Sequence, residues 1–527
     1  MRLPLTACIV LFALAACHSE AGQQPALLPP GSDVSGASAV PNTAGTAIDS
    51  RGCERRDNDT LVKIQQCITQ ASLWRRLSSF QLIADENPGP QGHGNRDIGT
   101  PGYKASVDYV AKLMRAAGYD VTIQRYKYRN FKVSGTPEFR TESHVYAIER
   151  DWFVARLSGR GTLDAPVEPP SGSIAGCLPS DFGGFTPGNV ALLERSTCDF
   201  DTQVANARAA GARAVIIYNR EPEVDASGKP TLDGAAYEAR LIDPASIPVI
   251  GVATYGVGAY LLHQYRSGVA ADVHIDIRMK RESGTDYNVI ADSRSGDPHK
   301  VVVVDAHLDS IYGAGMLDNA SGSTSILEVA LAMAKTRAHN RLRYIWFGGE
   351  EVGLLGSHYY TAHLSASELH DIAFDVDVDV TATPNFDILI ADPKFAHAVK
   401  HFPPRVVPDS KIGNAYFANF FRTAGAISRP AWFGNDGTDS LSFSFVGVPN
   451  SGILTNQDCC KRVWETKLWG GFRGNYEGKI PSSNGGCVDY PHRWCDNLYN
   501  NDPFMLELIS KSVAFVTYKL ANHHFSW

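Results

Sequence analysis

Four consecutive valines, Val301 to Val304, run directly into Asp305-Ala306-His307-Leu308-Asp309. A strand without alternation of apolar and polar residues is buried on both faces, which is the habit of parallel sheets covered by helices. The flanking segments agree with that architecture. Gly322 to Lys335 has helical periodicity, with Ile326, Val329, Ala330 and Met333 on the inward face, while Leu342 to Gly348 and Phe374 to Val380 read as further strands. From Asn288 onward the chain is expected to form an α/β domain around a mostly parallel mixed sheet flanked by helices. In such sheets ligands bind beyond the carboxyl ends of the strands, so the residues immediately after each run matter most.

The remaining sequence divides around this core. Tyr103 to Ala117 carries apolar residues at spacings of three and four and stops at Gly118, which predicts a helix followed by a strand from Asp120 to Tyr126. Between about 145 and 285 the character changes to short β-rich runs such as Val190-Ala191-Leu192-Leu193 and Ala214-Val215-Ile216-Ile217-Tyr218, with one helix from Asp201 to Ala210. The segments Gly188 to Phe200 (GNVALLERSTCDF) and Val204 to Ala212 (VANARAAGA) resemble the protease-associated domain, a non-catalytic β-rich lid found inserted in exported peptidases. The expected layout is 51–145 and 285–527 for the core domain, with the insertion at 146–284. A chain of 527 residues has room for several such units. With 49 basic against 56 acidic residues the net charge is -7, so no positive field exists to gather nucleic acid.

The first residues point to export. Met1-Arg2 precedes an uncharged run from Leu3 to Ala16 that is too short to span a bilayer and reads as a signal peptide, 1–16. Its end, Leu14-Ala15-Ala16-Cys17, resembles the bacterial lipobox, in which the cysteine becomes the lipidated first residue. The Gly-, Ala-, Ser- and Pro-rich stretch 17–50 would then be a flexible tether, placing the protein in the cell envelope with the lipid as its sole membrane contact, or in the medium if Cys17 stays unmodified. Of ten cysteines, removal of Cys8 and lipidation of Cys17 leave eight, and an even number in an exported chain suggests disulfides. Sequence proximity pairs Cys53 with Cys67 and Cys177 with Cys198. Cys459, Cys460, Cys487 and Cys495 remain, with three connectivities open to them.

Metal-friendly residues follow the strands. In extended chain the two-residue period puts His307 and Asp309 on one side, so one can ligate while the other orients it. Asp318-Asn319-Ala320-Ser321-Gly322 sets a carboxylate just before a helix, where Gly and Ser permit a close approach but where Asp or Asn is also an ordinary N-cap. Gly349-Glu350-Glu351 presents two adjacent carboxylates that point differently, so one can bind a metal while its neighbour faces substrate. Phe374 to Val380 alternates Asp375, Asp377 and Asp379 with valines, a pattern that an exposed edge strand also gives; Asp379 is the acid nearest the strand end. His492 sits between Cys487 and Cys495 in a loop that a disulfide could fix.

Taken in order, the segments AHLDS, DNASGS, WFGGEEVGLLGS, DVTATPN and YPHRWCD are similar to those of the co-catalytic two-zinc aminopeptidase family, which also includes glutamate carboxypeptidases, the transferrin receptor and glutaminyl cyclases. The resemblance covers about 60–135 and 285–520. It implies two Zn²⁺ per chain, with His307 and Asp379 on one ion, Glu351 and His492 on the other, and Asp318 bridging them. It further implies that Asp309 orients His307, that Glu350 is the general base for a zinc-bound hydroxide, and that Cys487 pairs with Cys495. Such imidazole and carboxylate ligands suit Zn²⁺, which lowers the pKa of bound water towards about 7. One position departs from the family pattern. Some exported members have Tyr directly before the last histidine to stabilise the transition state, whereas here Pro491 stands there and Tyr490 lies one place earlier, so that either Tyr490 substitutes as the catalytic phenol or the role is lost.

The expected function is hydrolysis of N-terminal residues from peptides. A glutamate carboxypeptidase-like peptidase and a glutaminyl cyclase-like acyltransferase are the alternatives, and a receptor without chemistry is a third. Carboxypeptidase relatives carry a long helical domain after the last ligand, whereas 35 residues follow His492 here. The lid-like insertion argues against a cyclase, and the complete ligand set against a receptor. No Arg or Lys lies within AHLDS, DNASGS, GGEEVGLLGS or DVTATPN, which suits a substrate amine better than a substrate carboxylate; Arg493 is the nearest cation in the motifs.

Overall fold

The apolar run at Val301–Val304 lies at the heart of an eight-stranded sheet, and its burial explains the architecture around it. The computed structural model of the chain describes residues 52–526 except 54–55, 90–91, 149, 197, 222–233, 235, 237–238, 240, 242–243, 270, 312, 434–436, 458–460 and 478–495. The strands in chain order are β1 (Asp120–Val133), β2 (Glu138–Thr141), β3 (Phe153–Val154), β4 (Gly161–Glu168), β5 (Val190–Glu194), β6 (Ala214–Tyr218), β7 (Val249–Ala253) and β8 (Asp272–Ile277). They continue with β9 (Met279–Asp292), β10 (Asp297–His307), β11 (Asn340–Phe347), β12 (Ile372–Val378), β13 (Leu389–Ala391), β14 (Arg429–Ala431) and β15 (Asn450–Leu454).

The larger sheet has the order β1-β9-β11-β10-β12-β15-β13-β14. Its centre is parallel, β10 pairing with β11 and β12, and β12 with β15, while β9 and β13 introduce antiparallel neighbours. Alternate valines of β10 serve opposite faces. Val302 and Val304 pack with Trp74, Val107, Ile326 and Ile509 of the covering helices, whereas Val301 and Val303 pack with Ile345, Tyr360 and Phe443 on the other side. The expected helix before Gly118 spans Pro101–Ala117: Thr100 Oγ1 caps it by accepting from Tyr103 N at 3.2 Å, and Gly118 ends it at φ 97°. The strand expected to stop at Tyr126 runs on to Val133, because it pairs with β9 throughout, from Asp120 opposite Asp292 to Val133 opposite Met279.

Between these two long strands sits the second sheet, of seven strands in the order β2-β8-β4-β5-β6-β7-β3, with its own apolar cores around Trp152, Val190 and Ile216 and around Leu193, Val215 and Ile217. The helix expected at Asp201 to Ala210 is present as Phe200–Ala209, capped by Asp199. Cys53 is bonded to Cys67 and Cys177 to Cys198, as sequence proximity suggested, with Cα separations of 5.7 and 5.9 Å. Cys459, Cys460, Cys487 and Cys495 lie outside the described residues, as does the N-terminal stretch through Cys17. No helix among the described residues is long and apolar enough to cross a membrane.

The two disulfides span 14 and 21 residues, loops for which the chain-entropy model gives about 3 kcal/mol each. Thermal unfolding with and without a reductant is therefore expected to show a lower Tm in the reduced protein, and an unchanged Tm would show that neither bridge constrains the unfolded chain.

Candidate metal centre

Three adjacent parallel strands, β11, β10 and β12, end side by side, and the candidate residues are mounted on those ends. His307 is the last residue of β10. Glu350 and Glu351 follow β11 after Gly348-Gly349, Asp379 follows β12, and Asp318 lies in the crossover from β10 to the helix Ala320–Met333. His307 is buried, and its Nε2 stands 2.9 Å from Asp318 Oδ1 and 3.3 Å from Asp379 Oδ1. The donor atoms of His307, Asp318 and Asp379 lie within 4.8 Å of one another, as do those of His307, Glu350 and Glu351. The structure thus gathers His307, Asp309, Asp318, Glu350, Glu351 and Asp379, while His492 and Tyr490 lie outside the described residues.

Electrostatics favour a cation here. Burial pulls the His307 imidazole downward, but Asp379, together with hydrogen bonds to Asp309 and Asp318, holds its pKa well above the ordinary histidine range. Asp379 Oδ1 is buried and has no hydrogen-bond donor among the described residues. A buried carboxylate without a donor is unfavourable, and a divalent ion with nitrogen and oxygen ligands relieves it. Imidazole and carboxylates without a thiolate form a donor set that Zn²⁺ accepts, so the residues fit the metal the sequence implied.

Neighbouring backbone is organised to hold these side chains. The Asp309 carboxylate accepts from Glu350 N at 3.2 Å and Glu351 N at 3.3 Å, fixing the turn that presents both glutamates. Towards His307, Nδ1 lies 3.1 Å from the Asp309 carbonyl and 3.7 Å from its carboxylate, so contact with His307 comes through main chain as much as side chain. Gly349 adopts φ 69°, a left-handed conformation that favours glycine, and a Cβ there would also press on Ile98 Cδ1 at 2.8 Å. The capping role considered for Asp318 belongs instead to Asn319, whose Oδ1 accepts from Gly322 N at 2.8 Å and leaves Asp318 facing His307. Asn319 also brackets Asp379: its Nδ2 donates to Val378 O at 3.0 Å and its Oδ1 accepts from Val380 N at 3.2 Å. Val380 is held at φ 49°, a conformation a β-branched residue adopts only under such constraint.

Two further residues escaped sequence reasoning. Arg96 is fully buried and donates through Nε to Ala314 O at 2.7 Å, through Nη1 to Leu308 O at 2.7 Å and through Nη2 to Gly315 O at 2.8 Å, tying down the loop between His307 and Asp318. Burial lowers its pKa to about 10 against the pull of Asp496, Asp309 and Asp318, which leaves it charged at neutral pH. Asp496 accepts from Leu317 N at 2.7 Å and Asp318 N at 3.2 Å. Asp496 ends the YPHRWCD segment and was visible in that sense; Arg96 has no periodic or motif signal.

The strand carrying Asp375, Asp377 and Asp379 is an interior one. β12 is flanked by β10 and β15, and Asp375 and Asp377 are fully buried, which corrects the exposed-edge explanation of their alternation. Burial, with repulsion between them and from Asp377, pushes Asp305 and Asp375 well above the carboxylate range. Burial and then the charge of Asp379 raise Asp377 to about 7, while its Oδ2 accepts from Ser440 N at 3.0 Å.

An imidazole among carboxylates at the carboxyl ends of a parallel sheet, with a second β-rich unit inserted, is the build of a metal-dependent hydrolase. Residues 288–516 match the model of Peptidase family M28, and residues 164–261 match that of the PA domain. The chain is 31% identical over 470 residues to an "Aminopeptidase" of Pseudomonas aeruginosa, covering 87% of this chain and 82% of that one. It is 30% identical over 436 residues to the "Probable lipoprotein aminopeptidase LpqL" of Mycobacterium tuberculosis, covering 79% and 81%. Its fold is similar to that of a zinc aminopeptidase from Bacillus subtilis, with a TM-score of 0.57 over 86% of this chain and 95% of that one at 21% identity. The chain belongs to Peptidase family M28, carries an inserted PA domain, and is a zinc metallopeptidase.

Replacing Arg96 by Met removes a buried cation and three hydrogen bonds at once, so denaturant unfolding is expected to show a loss of about 3–5 kcal/mol. A loss below about 1 kcal/mol, the net worth of a single hydrogen bond, would mean that other contacts hold the loop.

Proposed function

We propose that this protein is an exported two-zinc aminopeptidase that removes residues from the N-terminus of peptides. The observation that carries the proposal is the pair of donor triads sharing His307, one with Asp318 and Asp379 and one with Glu350 and Glu351. In this assignment His307 and Asp379 would hold one zinc, Glu351 and His492 would hold the other, and Asp318 would be the carboxylate they share. Zinc held there would supply Lewis acidity towards the scissile carbonyl and would lower the pKa of water towards about 7. The Glu350 carboxylate accepts the proton of the attacking water and returns it to the leaving nitrogen. Asp309 keeps both His307 and the glutamate turn in place, and Tyr490 supplies a phenol to the developing oxyanion.

Substrate orientation follows from charge. The carboxylates of the cluster attract an α-ammonium group, and Arg96 directs three of its donors to main-chain carbonyls, away from any substrate carboxylate. The names of the Pseudomonas and Mycobacterium relatives support the aminopeptidase reading. Export is supported by the two disulfides, and anchoring through a lipid on Cys17 by the lipobox-like sequence and by the lipoprotein name of the mycobacterial relative. Residues 17–50 are then the tether, and the lid expected at 146–284 is the seven-stranded unit between β1 and β9.

Three measurements check this. Glu350→Gln should retain both metals and lose about 10²- to 10⁴-fold in turnover, the usual worth of a general base; near-wild-type turnover would remove Glu350 from that role. Elemental analysis should give two zinc ions in the wild type and depletion of both in Asp318→Asn, whereas a fully active one-zinc protein contradicts the bridge. A free peptide and its C-amidated form should be cleaved at similar rates and the N-acetylated form far more slowly; faster cleavage of the acetylated peptide than of the amidated one would reverse the assignment of substrate end.

A further inference from the structure

One side chain of the inserted sheet reaches the metal turn. Arg156 lies just past β3, the edge strand of that sheet, on a backbone tied to the approach to β7. Ala155 N donates to Val249 O at 3.0 Å, Arg156 N to Ala239 O at 2.9 Å, Ala245 N to Leu157 O at 2.9 Å and Gly159 N to Ile247 O at 3.0 Å. Ser158 Oγ accepts from Val249 N at 2.8 Å, and Leu157 is held at φ 58°. From this fixed base the guanidinium crosses to the catalytic domain. Nη1 donates to the Glu351 carbonyl at 2.5 Å, and Nη2 lies so close to Gly353, at φ 110°, that a Cβ there would stand 3.1 Å away.

The bonding of the turn gives that contact its meaning. The Gly348 carbonyl accepts from Gly356 N, the Gly349 carbonyl from Leu355 N, and the Glu350 carbonyl from Gly353 N and Leu354 N, each at 2.9 Å. These bonds are internal to the turn. The Glu351 carbonyl takes its bond from the lid instead, while its amide is held by Asp309 of the catalytic domain. The main chain of Glu351 is thus gripped from two domains, one on each side of the Cα that carries the ligand.

We propose that Arg156 is a positioning residue for Glu351, so that the lid is part of the scaffold of the metal site and not a cover alone. The inference rests on the reading of Glu351 as a zinc ligand. Partners in the shell outside a metal ligand typically contribute 10- to 100-fold in metal affinity, because they fix the direction of the ligand's lone pairs. A charged donor to a carbonyl is among the stronger hydrogen bonds, and Lys can supply one such bond where Arg supplies its fork.

Zinc affinity by chelator competition on the full-length protein tests this, together with amide hydrogen exchange of the metal-free protein. Arg156→Ala is expected to weaken one of the two zinc ions by roughly 10- to 100-fold and leave the other unchanged. The amides of Gly353 to Gly356 should exchange faster, while those of the lid strands stay as in the wild type. Arg156→Lys should recover part of the lost affinity. Wild-type zinc affinity in Arg156→Ala would overturn the proposal, as would zinc loss accompanied by faster exchange throughout the lid, which marks a folding defect. Glu351→Gln separates the two levels: if it keeps both ions at wild-type affinity, the ligand assignment itself falls, whereas if it loses one ion and Arg156→Ala loses none, only the role of Arg156 falls.

Discussion

Carboxylates that repel one another have to be kept together out of water, and the architecture of this protein follows from that requirement. Asp318, Asp379, Glu350 and Glu351 converge on a single imidazole in a region where burial alone opposes ionisation. No local segment could hold them against their own repulsion. They are instead mounted on three separate strand ends or crossovers of a sheet whose central strand is buried on both faces, Glu350 and Glu351 sharing one of them, so the position of every acid is set by the packing of apolar residues far larger in number. Apolar packing on both faces of β10 leaves His307, at its end, buried.

Charge is then settled by three devices. Backbone amides absorb part of it, as where Asp309 and Asp496 each accept from two successive N–H groups. A buried guanidinium, Arg96, adds one positive charge and spreads it over main-chain carbonyls. Protonation handles the layer beneath, where burial and mutual repulsion push Asp305 and Asp375 well above the carboxylate range.

The sequence showed most of the acids and the histidine because His307, Asp309, Glu350, Glu351 and Asp379 stand at a strand end or just beyond one, and strand ends are marked by apolar runs that stop; Asp318 stood out by its place before a helix. The HxD, DN and EE segments could be placed on a site for that reason, and the helix before Gly118 could be delimited because its cap and its glycine are local signals. What escaped notice acts at a distance. Arg96 binds carbonyls more than 200 positions away, and Arg156 meets Glu351 across a domain boundary, 195 positions away; a lone arginine before a loop has no periodicity to betray it. Asn319 lay inside a recognised motif, yet its amide could be assigned to Asp379 only once β12 was known to run beside the helix. The burial of Asp375 and Asp377 was missed for the opposite reason: alternation of acid and valine is the ordinary look of a solvated face, and only the structure shows β12 to be an interior strand between β10 and β15 with both acids buried.

The pairing of β1 with β9 has a consequence for how this protein came to have a second unit. Val133 lies opposite Met279 at the far end of a ladder that begins at Asp120 and Asp292, so the chain leaves the core and returns to it one strand spacing apart, about 4.8 Å. Topologically, residues 134–278 are the loop of a hairpin. Because the entropy of closing a loop rises by only about 0.6 kcal/mol for each doubling of its length, a core that already possessed this ribbon could exchange a short turn for an entire folded module with little change in its own stability. The ribbon is a socket, and modules of other shapes could be grafted there without rerouting a single strand of the catalytic sheet.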